Sequence, residues 1–384
     1  MKNKFKAFFF FQFGAIGIWG PYLPVFLYEK NFSGIQIGLL LGTIPIVTII
    51  FQPIWSYLSD ILHTRKKLLL ISSLGMGIAM LGIGAAERFI FAFLWTILFS
   101  ALWAPINPIS TAMLLEALEE SGEMENFSLV RLWGSVGFAI TSLLVGTLFL
   151  GQILNYMAWL AAAMHFLLAF VSLFLPEKQG VLTYPEVKSR QILSGNPRLV
   201  IYLIASIFIG GTLGVYNNYQ TIFLQSLNAQ DWLVGFTVSL QAVIEVPLML
   251  LVPFSLKHLS PRRIILAGAV LLPLRWVLYF FIQQPGWVAP SQLIHGVAIV
   301  SFYVVGVSYI DQLINPRWRV TGQGLYATAF NGIGVALGVY LAGIALEWFD
   351  IRAVWGLNII MGMIGLGFLL LALYRTQQDK TDPQ

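Results

Sequence analysis

The chain is written almost entirely in apolar runs long enough to cross a bilayer. Only 10% of its 384 residues are Asp, Glu, Lys or Arg, and 58% are hydrophobic. A soluble domain carries roughly 25% charged residues, so this chain cannot cover itself with a water-compatible surface. A spanning helix needs about 20 apolar residues. That rule predicts spans over 7–27, 35–58, 67–86, 89–116, 128–150, 154–175, 199–224, 233–255, 263–283, 286–313, 321–346 and 352–374. The start, MKNKFK before a long apolar run, imitates a signal peptide. The run exceeds a typical signal core and eleven more spans follow, so it reads as an uncleaved first helix.

One polar interval divides these spans. Pro176–Arg198, PEKQGVLTYPEVKSRQILSGNPR, has six spans before it and six after it. The expected units are residues 1–175, a connecting loop over 176–198, and residues 199–384. Short basic turns follow the second span of each unit, at Ser59–Lys67 and at Leu256–Arg263. A duplicated six-helix unit accounts for this layout. The expected fold is therefore an all-α polytopic membrane protein of twelve helices in two pseudo-symmetric six-helix bundles, able to rock about a central site.

Charge orients the chain. Eighteen of the 22 Lys and Arg residues fall on one side of the predicted spans and three, Lys30, Arg88 and Arg352, on the other. The last, Arg275, lies inside a span. The positive-inside rule makes both termini and the 176–198 loop cytoplasmic, as expected of a multi-pass protein in a bacterial plasma (inner) membrane. The same rule accounts for the net charge of +5. No basic run carries aromatics placed to stack bases, so nucleic acid is not an expected partner.

Other classes lack their chemistry. There is no cysteine, and the four histidines form no cluster with Asp or Glu at metal-ligand spacing. No phosphate-cradling Gly-Lys-Ser/Thr loop is present. The expectation is a protein that is not an enzyme and has no cofactor or metal.

Ionisable residues inside spans are the chemical signal. Glu245 sits midway along the eighth span, Arg275 in the ninth and His295 in the tenth. A charged side chain at the bilayer centre costs about 2.5–3.5 kcal/mol on insertion scales, so such residues face a cavity and pair. Glu245 and Arg275 read as partners, either in proton exchange or as a structural ion pair, and His295 as a relay or a bond to solute. Tyr22, Asn107, Asn217, Asn218, Gln241 and Asn331, with Trp19 and Tyr219, are candidates to line that cavity. Amides beside aromatics suit a small organic solute. His165, in the sixth span, reads as a packing residue.

Two stretches resemble the major facilitator superfamily. QPIWSYLSDILHTRKK, Gln52–Lys67, is similar to its loop G-x-x-x-D-R/K-x-G-x-R/K. Asp60 and the cluster Arg65, Lys66, Lys67 match; Ser56, Ile61 and His63 depart from it. The resemblance implies a cytoplasmic gate that pins neighbouring helices in one state. RLWGSVGF, Arg131–Phe138, resembles the start of span five in the branch that holds lactose permease, the phenylpropionate permeases and the nucleoside–proton symporters. In lactose permease a Glu near the end of span four and an Arg at this point of span five bind sugar, and the matching residues here are Glu116 and Arg131. The branch also carries Glu in span eight, Arg in span nine and a His in span ten. Gln292 and Ala298 stand where lactose permease has a Lys and a Glu around that His. That departure points toward the phenylpropionate and nucleoside side and leaves Glu245 as the candidate proton carrier.

The implied function is a secondary active transporter, symporting protons with a sugar, a nucleoside or an aromatic acid, and a monomer as is usual in the family. The rival readings are a proton-antiporting drug or metabolite exporter of the same fold, and a non-transporting membrane sensor.

Overall fold

The computed structural model describes residues 2–62, 64–176, 189–315 and 318–381. Most of the predicted connecting loop thus lies outside the described residues. So do His63, Arg317 and the side chain of Asp60, whose backbone belongs to the helix Gly34–Leu62. Among the described residues the secondary structure is helical, without strands.

Twelve helices are long and apolar enough to span. In order they are Lys2–Glu29, Gly34–Ser59, Arg65–Ala85, Phe89–Glu120, Met124–Leu148, Leu150–Ser172, Pro197–Ser226, Asp231–Leu250, Pro261–Phe281, Pro285–Leu313, Thr321–Trp348 and Ile351–Leu373. They are called spans one to twelve here. Each coincides with a predicted apolar run, because in lipid a helix alone satisfies its own backbone.

Local chemistry sets several ends. Ser33 and Gln36 form a reciprocal cap at the start of span two. The Gln36 N–H donates to Ser33 Oγ at 3.3 Å, and the Ser33 N–H to Gln36 Oε1 at 3.0 Å. Asn196 caps span seven, accepting from the Leu199 N–H at 3.0 Å, with Pro197 in the first turn. Lys30 closes the far end of span three, donating to the carbonyls of Gly84 and Ala86 at 2.6 and 2.8 Å. Burial lowers the pKa of the Lys30 amine from its ordinary value, and the charge of Glu87 partly offsets this. Inside the spans, hydroxyls such as Thr96 and Ser100 donate to carbonyls one turn back.

Small residues let helices touch by backbone. A Cβ on Gly137 would fall 2.2 Å from the Phe10 carbonyl oxygen. Span five therefore lies directly on span one, and Thr141 Oγ1 donates across the contact to the Gly14 carbonyl at 2.8 Å.

Spans two and eleven reveal the conformation. Toward the extracellular side they meet, Gly34 and Gly38 against Gly343, and Gly42 against Ala336. Toward the basic side they diverge, and Gln52, Pro53 and Ser56 face Gly324 and Thr328 across a cavity. Spans five and eight repeat the pattern. Gly146 packs on Gly235 at the closed end, while Phe138 and Gln241 line the cavity. The molecule is closed outside and open to the cytoplasm.

Two spans contain π-helical stretches, span ten over Val300–Val305 and span eleven over Thr328–Gly334. Such stretches re-aim side chains and are frequent at functional sites. Both are invisible in hydropathy.

Candidate functional site

The central cavity has a volume of about 900 Å³, at the upper end of the 300–1,000 Å³ usual for ligand sites. Spans from both halves of the chain build it. Trp19 and Trp103 stand on one wall, rings edge to face with centroids 5.7 Å apart. Asn107 lies one turn beyond Trp103. Behind it the fully buried Gln12 donates to Asn107 Oδ1 at 3.4 Å. The opposite wall carries Asn217, Asn218, Gln241 and Asn331.

Their orientation comes from second contacts. Asn218 Nδ2 donates to the Gly214 carbonyl at 2.8 Å. Asn331 sits in the π stretch of span eleven and accepts from the Tyr303 hydroxyl, in the π stretch of span ten, at 2.8 Å. Gln241 Nε2 lies 3.5 Å from Asn217 Oδ1 and 3.4 Å from Glu245 Oε1. Among the described residues, no Asp, Glu, Lys, Arg or His lines the cavity. Its polar groups are amides and hydroxyls.

The ionisable residues of the second half lie just behind that wall. His295, fully buried, places Nε2 3.2 Å from Glu245 Oε1, whose side chain is 22% exposed. Arg275 is also fully buried, but it does not touch Glu245. Its Nη2 donates to Tyr279 Oη and to Gln292 Oε1, both at 3.1 Å. Its guanidinium lies 4.1 Å from the centroid of the Tyr216 ring. No carboxylate among the described residues is within ion-pair distance of it, and its Nε and Nη1 have no hydrogen-bond partner. The expected Glu245–Arg275 pair is thus a Glu245–His295 pair, with Arg275 held by neutral groups.

Tyr216 joins these parts. Its hydroxyl is 2.7 Å from Gln292 Oε1 and 3.2 Å from Gln241 Oε1. A hydrogen-bonded path therefore runs from Arg275 through Gln292, Tyr216 and Gln241 to both Glu245 and the cavity.

Three expected solute contacts are placed elsewhere. Tyr22 is fully buried at the extracellular end, its hydroxyl donating to the Ser142 carbonyl at 2.6 Å, so it belongs to the closure. Glu116 receives both of its contacts from Arg65 Nη1, at 2.6 and 2.7 Å, which ties the end of span four to the start of span three. Arg131 lies with its guanidinium 3.8 Å from the Phe13 ring centroid and 5.3 Å from that of Phe9, both on span one. Glu116 and Arg131 are therefore not brought together. Of the cytoplasmic cluster, Arg65 is buried by its bond to Glu116, Lys66 is half-buried and Lys67 exposed. At the start of span five's preceding turn, Lys2 lies 2.7 Å from Glu123 and holds that carboxyl below its usual pKa.

The sequence reading missed Thr48, Gln52 and Ser56, which line the cavity from span two. Their spacing of four residues puts them on one helix face, a signal available in the sequence. It also missed Tyr216 and Tyr279, which look like ordinary aromatics until the buried cation beside them is seen.

Residues 3–357 match the MFS_1 like family. The chain belongs to that family. Maltose permease of Geobacillus stearothermophilus is 28% identical, over 97% of this chain and 95% of its own length. Xanthosine permease of Escherichia coli is 23% identical, over 91% of this chain and 89% of its own. A crystal structure of the nucleoside transporter NupG superposes with a TM-score of 0.87 at 21% identity, covering 97% of this chain and 98% of that one. The shared fold and the run of permeases make this family member a multi-pass membrane transporter and not an enzyme.

Proposed function

We propose that the protein is a proton-coupled symporter of a neutral, hydroxyl-rich organic solute, a sugar or a nucleoside, in a bacterial inner membrane. The observation that carries this reading is the uncharged cavity. A carboxylate bound among amides and indoles would leave water without a cation to meet it, and desolvated unpaired charge is costly. A solute with hydroxyls and an apolar or ring face would exchange its water bonds for Asn217, Asn218, Asn331 and Asn107. The aromatic acid considered from the sequence fits this lining less well. The names of the relatives, which speak of maltose, xanthosine and nucleosides, point the same way.

Coupling runs through Gln241. Its amide is shared between Glu245 and the cavity. Bound solute would draw that amide away, leaving Glu245 to His295 and changing how firmly the carboxylate holds a proton. Glu245 is the proton carrier, protonated at a carboxylate oxygen during the outward-open part of the cycle and discharged toward the cytoplasm. His295 accepts or returns that proton through Nε2. Arg275, with no carboxylate of its own, keeps the region positive. The first six and last six spans rock as two units joined by the 176–198 loop, one monomer forming a complete site. Asp60, Arg65, Lys66 and Lys67 gate the cytoplasmic side.

The test is uptake by proteoliposomes of labelled maltose, nucleosides and phenylpropionate, with and without an inward proton gradient. Gradient-driven accumulation of a neutral solute is expected. Accumulation of phenylpropionate alone, or uptake indifferent to the gradient, would overturn the proposal.

A further inference from the structure

Among the described residues, four hydrogen bonds of the extracellular closure run from one half of the chain to the other; one joins Thr221 Oγ1 to the Pro21 carbonyl, and the other three end on carboxylates. Gln225 Nε2 donates to Glu29 at 3.3 Å, the Gly151 N–H to Asp231 at 3.1 Å, and the Gly34 N–H to Glu347 at 2.5 Å. None of the three closes on a cation. Lys30 is occupied by the carbonyls of Gly84 and Ala86, and Arg352 by that of Phe280.

The shortest of these bonds has a particular geometry. Gly34 opens span two, where the first N–H groups have no partner inside the helix. Ser33 and Gln36 satisfy each other there and leave the Gly34 N–H free. Glu347, at the end of span eleven, supplies the missing acceptor from the opposite half. The carboxylate also meets the positive end of the span-two helix. It reaches that end because Gly34 and Gly343 touch by backbone; a Cβ on Gly34 would fall 2.6 Å from the Gly343 carbonyl oxygen.

We propose that Glu347 is a conformational latch. It caps span two only while the extracellular side is closed, and so it sets the balance between inward-open and outward-open forms. The proposal rests on the alternating-access reading above. When spans two and eleven separate, the Gly34 N–H and the carboxylate each return to water, and the favourable contact with the helix end is lost. Asp350, three residues on, makes the contrast. It accepts from the Ala353 N–H at 2.9 Å and caps span twelve within its own half, so its bond survives either state.

The experiment uses the native absence of cysteine. Spin labels at Glu87→Cys and Gln283→Cys occupy exposed extracellular loops of opposite halves. Their distance distribution is measured for the full chain in lipid nanodiscs. Glu347→Ala should raise the long-distance, outward-open population relative to the short one by about two- to fivefold, a modest factor because Glu347 is exposed. Glu347→Gln, which keeps an acceptor without the charge, should fall between. Asp350→Asn should leave the distribution unchanged while lowering thermal stability. Unchanged distances in both Glu347 variants, or an equal shift in Asp350→Asn, would overturn the latch. Gly146→Ala on the same labels separates the two readings. If it lengthens the distance and the Glu347 variants do not, only the latch fails; if no variant lengthens it, alternating access fails as well.

Discussion

Gly146→Ala is the perturbation whose consequence follows most directly from coordinates. A Cβ there would lie 2.4 Å from Gly235 Cα, 2.7 Å from Gly235 N and 2.4 Å from the Tyr22 hydroxyl oxygen. Tyr22 can turn aside, but the Gly235 backbone cannot. Restoring ordinary carbon contact requires spans five and eight to part by about 1 Å. Overpacking of this kind costs about 1–3 kcal/mol. Because the two spans belong to opposite halves, opening the extracellular side relieves the clash without deforming either bundle. The same energy expressed as a population ratio is a factor of about 5–150 toward the outward-open form. Leu41→Cys reports it. That residue is buried and borders the cavity below the closure, so from outside it is reached only when the closure opens. In right-side-out vesicles, Gly146→Ala should speed its reaction with an external impermeant maleimide by about that factor. Gly137→Ala is the control. Its Cβ would strike the Phe10 carbonyl within the same half, so it should lower Tm without exposing residue 41. Unchanged labelling of folded Gly146→Ala protein would refute the reasoning.

The other expectations are more compact. Glu245→Gln should abolish uphill uptake while leaving solute counterflow, because exchange needs no net proton movement; normal accumulation would remove Glu245 from the coupling scheme. Gln241→Leu should raise KM for solute and also flatten the pH dependence of uptake, since the same amide serves the cavity and Glu245. Arg65→Glu should impair the protein more than Glu116→Gln does, and the double exchange Arg65→Glu with Glu116→Arg should recover part of the loss, read as transport and Tm. Lys30→Met should cost about 1–2 kcal/mol of stability by leaving two helix-end carbonyls without a donor. Burial makes folded Lys30 hold its proton less tightly than the unfolded chain does. Stability should therefore rise as the pH climbs through the lowered value toward the ordinary lysine range, and Lys30→Met should remove that rise.

Hydropathy alone determined the twelve spans and, through eighteen basic residues against three, their orientation. Lipid makes this possible: it permits one backbone solution per span and prices each charge by side, so local composition carries the answer. The sequence also marked Glu245, Arg275 and His295, because a charge at membrane depth is expensive wherever it points. Only the tertiary structure decided how they pair. Arg275 turns its guanidinium onto Tyr216 and Gln292, and His295 takes Glu245, since rotamer and helix rotation set a contact that spacing between separate helices does not encode. Glu116 joining Arg65 and not Arg131 is a second case of the same kind. The uncharged cavity is a third, for it exists only where six or more spans converge, and its lining is a selection that packing makes from polar residues scattered over the whole chain.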